Sequence, residues 1–330
     1  MAKPEAFKAY VLRETPNGVR GAIESFRFAD LDADGTLIDV EWSTINYKDV
    51  LAGTGAGAIA RRLPLIGGID LAGTVVDSQR FAAGTPVLVC GGGLSETLHG
   101  GYAEFARVPD ALVVALPAGL TLRETMGIGT AGMTAALAVA KLERSGLAPE
   151  FGPVAVTGST GGVGSFAIDM LAARGYEVVA LTGSPQRSGD YLAAIGAASV
   201  IDRNSVEADP RPLHRAQWAG VVDNAGGPLL AELLKAVRPR GCVASIGLAG
   251  SAQLHTTVMP FILRGVSLLG INAVELTTEE RAGVWADIAG ELRPAHLARI
   301  AAREIDFEAL PGTLEAALTD AEPGRVVVRI

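Results

Sequence analysis

Cysteine is nearly absent: the 330 residues hold two, Cys90 and Cys242, far apart in sequence. Two thiols cannot build a disulfide scaffold or a four-cysteine zinc site, and a reducing cytoplasm is the expected compartment. Histidine is as scarce. His99, His214, His255 and His296 are scattered and not at ligand spacing, so no catalytic zinc set is expected. Positive charge is in the minority, with 28 Lys and Arg against 36 Asp and Glu and a net charge of −8. That balance argues against general nucleic-acid binding, which needs a basic footprint to neutralise phosphates. Long apolar runs are also missing, despite a mean hydropathy of +0.32. The longest weakly polar run, Met126 to Ala140, covers 15 residues dominated by Gly, Ala and Thr, against the roughly 20 strongly apolar residues of a membrane span. The opening Met-Ala-Lys-Pro-Glu lacks the apolar stretch of a signal peptide. A soluble chain is expected.

What is present is a large core and much glycine: 49% of residues are hydrophobic, 19% charged, and 41 are glycine. The length exceeds one ordinary domain. Up to about residue 120 the chain reads as short strands broken by Gly, Pro and Asp: Ala6–Arg13, Thr36–Trp42, Asp70–Asp77, Pro86–Cys90, Ala103–Val108 and Leu112–Ala115. Such spacing predicts a partly open barrel. From Thr121 helices alternate with short apolar runs, the pattern of parallel β/α winding. Strands are predicted at Val154–Thr157, Glu177–Leu181, Val200–Ile201, Gly220–Asp223, Cys242–Ile246 and Ser267–Ile271, with helices at Thr130–Lys141, Gly164–Arg174, Tyr191–Ile195, Leu229–Val237 and Thr278–Leu292. Six such strands match a doubly wound dinucleotide fold. The tail, a helix at Phe307–Thr319 and a strand at Val326–Ile330, is predicted to return to the N-terminal domain. The expected domains are 1–123 with 289–330, and 124–288.

The strongest motif is Val154-Ala-Val-Thr-Gly158-Ser-Thr-Gly161-Gly162-Val163-Gly164-Ser-Phe-Ala167. An apolar strand enters a glycine turn and an amphipathic helix leaves it. Gly162-x-Gly164-x-x-Ala167 satisfies the dinucleotide fingerprint in its Ala variant. Glycine lets backbone N–H groups approach a pyrophosphate, and the helix N-terminus adds partial positive charge. A bare match of this kind also occurs in tight turns of unrelated α/β domains; the strand–turn–helix context raises its weight. About 20 residues further on, where an NAD enzyme places a carboxylate on the ribose, the segment Ala180-Leu-Thr182-Gly183-Ser184-Pro-Gln-Arg187 has none. NADPH is therefore favoured, with Thr182, Gly183 and Ser184 as contacts and Arg187 or Arg203 as charge partner. Without zinc to polarise an alcohol oxygen, the natural chemistry is hydride delivery to a carbon activated by conjugation, such as an enone or an enoyl thioester.

The chain resembles the zinc-independent medium-chain dehydrogenase/reductases, quinone oxidoreductase-like, and within them the NADPH-dependent acryloyl-CoA reductase branch. The resemblance rests on Trp42-Ser-Thr-Ile-Asn46-Tyr47-Lys48-Asp49, Gly67-Gly-Ile-Asp70-Leu-Ala-Gly73, Gly129-Thr-Ala-Gly132-Met-Thr-Ala, the glycine loop, Gly247-Leu-Ala-Gly250, Thr256-Thr-Val-Met-Pro-Phe-Ile-Leu-Arg264-Gly-Val and Gly324-Arg325. It runs from about residue 40 to the C-terminus. It implies a GroES-like barrel domain plus a Rossmann domain, with the active site in the cleft between them. It places Tyr47 beside the nicotinamide with Asp70 nearby, and Thr160, Gly161, Gly162 and Val163 on the pyrophosphate. Thr182, Gly183 and Ser184 fall near the adenosine phosphate, Leu248 and Ile262 at the nicotinamide end, and Asn272 and Arg325 among the cofactor contacts. One departure matters: the family commonly has Ser-Gly-Arg where this chain has Thr182-Gly183-Ser184. Unless Arg187 substitutes, selectivity for NADPH over NADH weakens.

The expected reaction is 2-enoyl-CoA, NADPH and a proton giving the saturated acyl-CoA. Tyr47 is the first candidate to donate a proton or orient the substrate, Asp70 to tune Tyr47 or hold a water, and Asn46 to place the carbonyl or support the loop. Lys48 and Asp49 are expected as a structural pair fixing the turn. Each has a plainer reading: Tyr47 as packing over the cofactor, Asp70 as a turn acceptor, Asn46 as a loop support. Cys90 and Cys242 lie in strand-like runs and are expected to be inert buried thiols. Coenzyme A carries several phosphates, so a locally basic channel is expected, with Arg61, Arg62, Arg264 and Arg325 as candidates and surface solvation as the plainer reading for each. Two other functions compete: a quinone or enone reductase using the same hydride, and a non-catalytic NADPH-binding protein. The resemblance also suggests a homodimer through an edge strand near Ser267–Ile271.

Overall fold

The computed structural model describes residues 5–32, 34–206 and 208–330. It divides into two compact units: Met1–Thr130 with Ala273–Ala289 and Ala301–Ile330, and Ala131–Asn272 with Gly290–Ile300. The expected boundaries at 123/124 and 288/289 therefore fall elsewhere. Residues 124–130 and 273–289 group with the first unit, and 290–300 with the second. In the first unit the helix at 278–289 is anchored by Thr278 Oγ1, which donates to Ala111 O at 3.0 Å, and by Arg281, whose guanidinium donates to Cys90 O at 2.5 Å.

The chain opens with β1 (Ala6–Thr15), β2 (Gly18–Arg27), β3 (Thr36–Thr44), α1 (Tyr47–Thr54), β4 (Leu65–Ile66), β5 (Asp70–Asp77), β6 (Pro86–Cys90), β7 (Phe105–Val108) and β8 (Val114–Ala115). Three of these elements were not expected: β2, α1 and the two-residue β4, which pairs with β1 at Leu12↔Leu65 and Val11↔Ile66. β2 has apolar side chains only at Val19, Ala22, Ile23 and Phe26, broken by glycine and charge, so its alternation is weak. Its pairing with β1 fixes it instead, antiparallel from Ala6↔Arg27 to Thr15↔Gly18. α1 replaces an expected loop: Asn46 precedes it, and Asp49 at its third position accepts from Asn46 N at 2.9 Å, half of a capping box.

The chain continues through α2 (Leu122–Arg144), β9 (Val154–Thr157), α3 (Gly162–Ala173), β10 (Val178–Thr182), α4 (Pro185–Ala194), β11 (Ser199–Asp202), β12 (Trp218–Asp223), α5 (Gly227–Lys235), β13 (Val237–Ser245), α6 (Met259–Arg264), β14 (Ser267–Gly270), α7 (Thr278–Ala289), α8 (Leu297–Ile300), β15 (Arg303–Asp306), α9 (Leu310–Ala317) and β16 (Val326–Arg329). α2 is longer than predicted. By length and composition it passes as a membrane span, yet 78% of its apolar window is buried within the protein, and it is broken at Gly129, where φ is 53° and ψ −162°.

In the first unit β2-β1-β4 form one sheet, and β15-β16-β3-β5-β6-β8 another, with β7 also on β3. β16 runs antiparallel to β3, Val327 opposite Thr44, so the tail does return to the N-terminal segment. That pairing carries Arg325 to the end of β3. In the second unit six parallel strands lie in the order β11-β10-β9-β12-β13-β14. This is doubly wound topology, with its switch point between β9 and β12. Leu181, Val221, Leu230, Leu234 and Val243 are among its buried core, each worth about 1.5–3 kcal/mol against exposure.

Candidate active site and nucleotide loop

In the first unit the motif around Asn46 builds a buried polar network. Asp70, the first residue of β5, has no exposed surface. Its Oδ2 accepts from Asn46 Nδ2 and from Thr130 N, both at 2.9 Å, and its Oδ1 accepts from Thr130 Oγ1. Arg325 Nη2 stands 4.0 Å from Oδ2. Arg325 is itself 4% exposed. It donates to Ile45 O, Asn46 Oδ1 and Thr44 Oγ1, each at 2.9 Å, and to Gly127 O at 3.3 Å. Asn46 is thus held from three sides, its Nδ2 also lying 3.1 Å from Asp49 Oδ2. A side chain at Gly129 would meet Arg325 Nη2 and Asp70 Oδ2, each at 2.7 Å. The left-handed break in α2 is glycine for that reason, and it turns Thr130 onto Asp70.

Burial pushes the Asp49 carboxyl up to about 7, reinforced by Asp70; bonds from Asn46 and Ile69 pull the other way. Burial also lowers Arg325 from its ordinary value, opposed by the charges of Asp70 and Asp49. The Cys90 thiol is raised by burial and then by Asp70, so it stays protonated, as expected of an inert thiol. Burial likewise raises Cys242, to about 11.

Against this buried frame Tyr47, the first residue of α1, is 63% exposed. The network fixes the backbone at Asn46 and leaves the phenol next to it at the surface. The expected Lys48–Asp49 pair does not form. Lys48 Nζ lies 2.6 Å from Glu96, while Asp49 faces inward and accepts from Ile69 N at 2.9 Å. The four arginines expected along a coenzyme A channel are also engaged elsewhere. Arg61 pairs with Glu96 at 3.2 Å and Arg62 with Asp32 at 2.9 Å. Arg264 donates to the carbonyls of Lys235, Val237 and His214, and Arg325 is the buried member of the Asp70 network. Arg325 is expected among the cofactor contacts; here it is 4% exposed.

In the second unit the glycine loop links β9 to α3. Gly158 is left-handed at φ +58°. A side chain on Gly164 would collide with the Gly158 carbonyl and come within 2.8 Å of Ser159 Cα. Ser159 Oγ donates to Val156 O and Leu181 O at 2.8 and 2.7 Å, tying the loop to β9 and β10. Thr160, Gly161, Gly162 and Val163 line the entry to α3 with accessible surface; Gly161 N donates to Gly158 O at 3.1 Å, and the N–H groups of the first turn of α3 suit an anion. At the end of β10, Thr182 is buried and Gly183 and Ser184 are exposed. Arg203, just past β11, lies over Gly183: an added Cβ there would stand 3.0 Å from Nε and 3.2 Å from Cζ. Arg187 is an exposed residue of α4. Asp202, opposite Thr182 in register, is a carboxylate that the local motif did not reveal; it accepts from Asn204 N at 2.9 Å. Leu248 and Ile262 are 66% and 68% exposed. Asn272, exposed, follows β14 by two residues.

Two residues were missed. Thr130 stands in a quoted motif but carries no polar neighbour in sequence to mark it. Asn224 follows β12 and bonds back to the end of β9: its N donates to Thr157 Oγ1 at 2.9 Å and its Nδ2 to Thr157 O at 2.7 Å. Only the parallel β9–β12 neighbourhood brings them together.

A mostly antiparallel barrel-type sheet carrying the Tyr47 segment, and a doubly wound sheet with a glycine loop at its switch point, define a nicotinamide-dependent oxidoreductase architecture. Residues 32–118 match the alcohol dehydrogenase GroES-like domain, and residues 162–289 match the zinc-binding dehydrogenase domain. "Putative quinone oxidoreductase YhfP" of Bacillus subtilis is 46% identical over 98% of this chain and 99% of its own. A crystal structure of B. subtilis yhfP with NAD bound superposes with a TM-score of 0.95 at 45% identity, covering 99% of this chain and 100% of that one. The acrylyl-CoA reductase AcuI of Ruegeria pomeroyi is 42% identical over 96% of each chain. The yhdH oxidoreductase of Salmonella enterica, in complex with NADP, gives a TM-score of 0.94 at 42% identity, covering 98% of this chain and 99% of that one. The chain belongs to the medium-chain dehydrogenase/reductase family, in the quinone oxidoreductase-like group that includes acrylyl-CoA reductases. The zinc in the second domain's description finds no fit here. Among the described residues no three His, Cys, Asp or Glu side chains converge as a metal site; His99 Nδ1 accepts from Ile66 N, and His296 is bonded to Asp169.

Proposed function

We propose that this chain reduces the carbon–carbon double bond of a short-chain 2-enoyl-CoA, acryloyl-CoA foremost, to the saturated thioester, with NADPH as reductant. The observation that carries the reading is 42% identity to an acrylyl-CoA reductase over 96% of both chains. The glycine loop, the open N-terminus of α3 and the close approach that excludes a side chain at Gly164 fit a dinucleotide. When bound, the nicotinamide supplies a hydride to the β-carbon.

The chain's residues supply the rest. Charge gathers on the thioester oxygen as the β-carbon is reduced, and a donor there lowers the barrier. The α-carbon then takes a proton. Tyr47 presents an exposed phenol for one of these tasks. Asn46, Asp70, Thr130 and Arg325 act as positioning residues: their polar atoms are committed to one another, so they hold the start of α1 in place rather than touch substrate. Thr182, Gly183, Ser184 and Arg203 sit where an adenosine 2′-phosphate is read, with Arg203 replacing the arginine that the family commonly has at position 184.

The similarity to YhfP favours a second reading, a quinone or enone acceptor with the same hydride source. Oxidation of NADPH in the presence of acryloyl-CoA, set against a simple quinone, separates the two. The buried free thiols of Cys90 and Cys242 suit a reducing cytoplasm. β14 is the edge of the six-stranded sheet with Leu268 partly exposed, and pairing of two such edges gives a homodimer.

A further inference from the structure

The acceptor on Asn224 points to a specific cofactor contact, and the inference rests on the nucleotide reading above. Asn224 lies at the topological switch point, immediately after β12 and against the end of β9. Glycines pack on both sides of it. An added Cβ on Gly158 would stand 3.0 Å from Asn224 Cβ, and one on Gly247 would meet the Asn224 backbone, 3.0 Å from its carbonyl carbon. The orientation of its amide is fixed, because Nδ2 donates to Thr157 O at 2.7 Å. A flipped amide would set two acceptor oxygens against each other. Oδ1 therefore faces the other way, and there it is buried with no donor from the protein. A buried acceptor without a partner is unfavourable by about 1–3 kcal/mol, so the position is held for a donor from outside the chain.

The chemistry narrows that donor. A pyrophosphate offers only acceptors, so it cannot satisfy Oδ1. Ribose hydroxyls flank it on both sides. In a doubly wound sheet the strands beyond the switch point, here β12 and β13, serve the second mononucleotide half. We infer that Asn224 Oδ1 accepts a hydrogen bond from a hydroxyl of the nicotinamide-side ribose, and so fixes the rotation of the reactive half of the cofactor.

The test uses the full chain and calorimetric titration. NADP⁺ carries the nicotinamide-side ribose; adenosine 2′,5′-bisphosphate carries the 2′-phosphate but not that ribose. Asn224→Ala is expected to weaken NADP⁺ about tenfold and leave the bisphosphate within about twofold. Equal loss for both ligands, or loss for neither, overturns the inference. A second measurement needs no variant: the wild-type chain should bind an NADP⁺ analogue lacking a hydroxyl on the nicotinamide-side ribose about tenfold more weakly, for the 2′- or the 3′-position. Unchanged affinity for both deoxy analogues also overturns it. If the wild-type chain binds neither NADP⁺ nor NAD⁺, the nucleotide reading itself fails. Binding of NADP⁺ with no dependence on Asn224 or the hydroxyls removes only the present inference.

Discussion

The side-chain amide of Asn46 donates to the Asp70 carboxylate across 2.9 Å, joining the N-terminus of α1 to the first residue of β5. Tyr47 is the next residue along, and it is the exposed one. A rigid polar frame beneath an exposed phenol is how a fold keeps a reactive group in one place without burying it. Tyr47→Phe removes the hydroxyl and leaves that frame intact. Turnover should fall about 10²-fold, the scale of one proton-transfer group, while NADPH affinity stays within about twofold. Steady-state kinetics and cofactor titration check both, and unchanged turnover removes Tyr47 from proton transfer.

Arg325 is the buried cation of the same frame. Arg325→Leu leaves the buried Asp70 without its counter-charge and Asn46 Oδ1 without its donor, so unfolding free energy should fall by about 3–5 kcal/mol. Urea denaturation at pH 7 measures it. A loss below about 1 kcal/mol would show that the guanidinium holds nothing together.

Much of this frame was legible in the sequence as types, and little of it as contacts. Asn46, Tyr47 and Asp70 stand in motifs that the eye groups. The helix they cap was signalled too, by Asn46 followed three residues later by Asp49, a capping pattern that reads as a turn when no long apolar stripe follows. Arg325 lies 255 positions from Asp70, taking their numbers in the sequence. Only the pairing of β16 on β3 brings them together, and no local pattern encodes a partner at that distance. The Rossmann half was more legible because each of its strands is a short buried run and its order follows from winding. β2 was not, because its stability comes from its register with β1 rather than from its own residues.

The Asp49 carboxyl gives a pH signature. Its pKa is raised by burial from 3.8 to about 7 in the folded chain. The folded state therefore holds this proton more tightly than the unfolded state does. The associated stability is fully present below about pH 4 and is lost as pH rises through about 7. Asp49→Asn removes that titration. Between pH 5 and 8 the wild-type urea midpoint should decline more than that of the variant; parallel profiles would mean that Asp49 titrates normally.

Cofactor choice should turn on Arg203. Charge-assisted hydrogen bonds are worth about 1.5–3 kcal/mol, so Arg203→Ala should weaken NADP⁺ at least tenfold and leave NAD⁺ unchanged. Arg187→Ala should have the smaller effect. Gly183→Ala, which brings a Cβ to 3.0 Å from the Arg203 side chain, should shift the ratio in the same direction. The reverse ranking of the two arginines in isothermal titration would move the phosphate contact to α4.

The edge strand β14 should place two chains together. Light scattering at working concentration is expected to give twice the 33.9 kDa chain mass, and insertion of a charge by Leu268→Lys should shift it toward one. A sharp monomer peak for the wild-type chain contradicts the pairing.

The substrate is tested most directly by NADPH oxidation with acryloyl-CoA, run beside crotonyl-CoA and a simple quinone. Strong and selective turnover of acryloyl-CoA is the predicted result. Turnover of the quinone alone would contradict it, leaving the fold and the nucleotide loop as they are and assigning the hydride to a different acceptor.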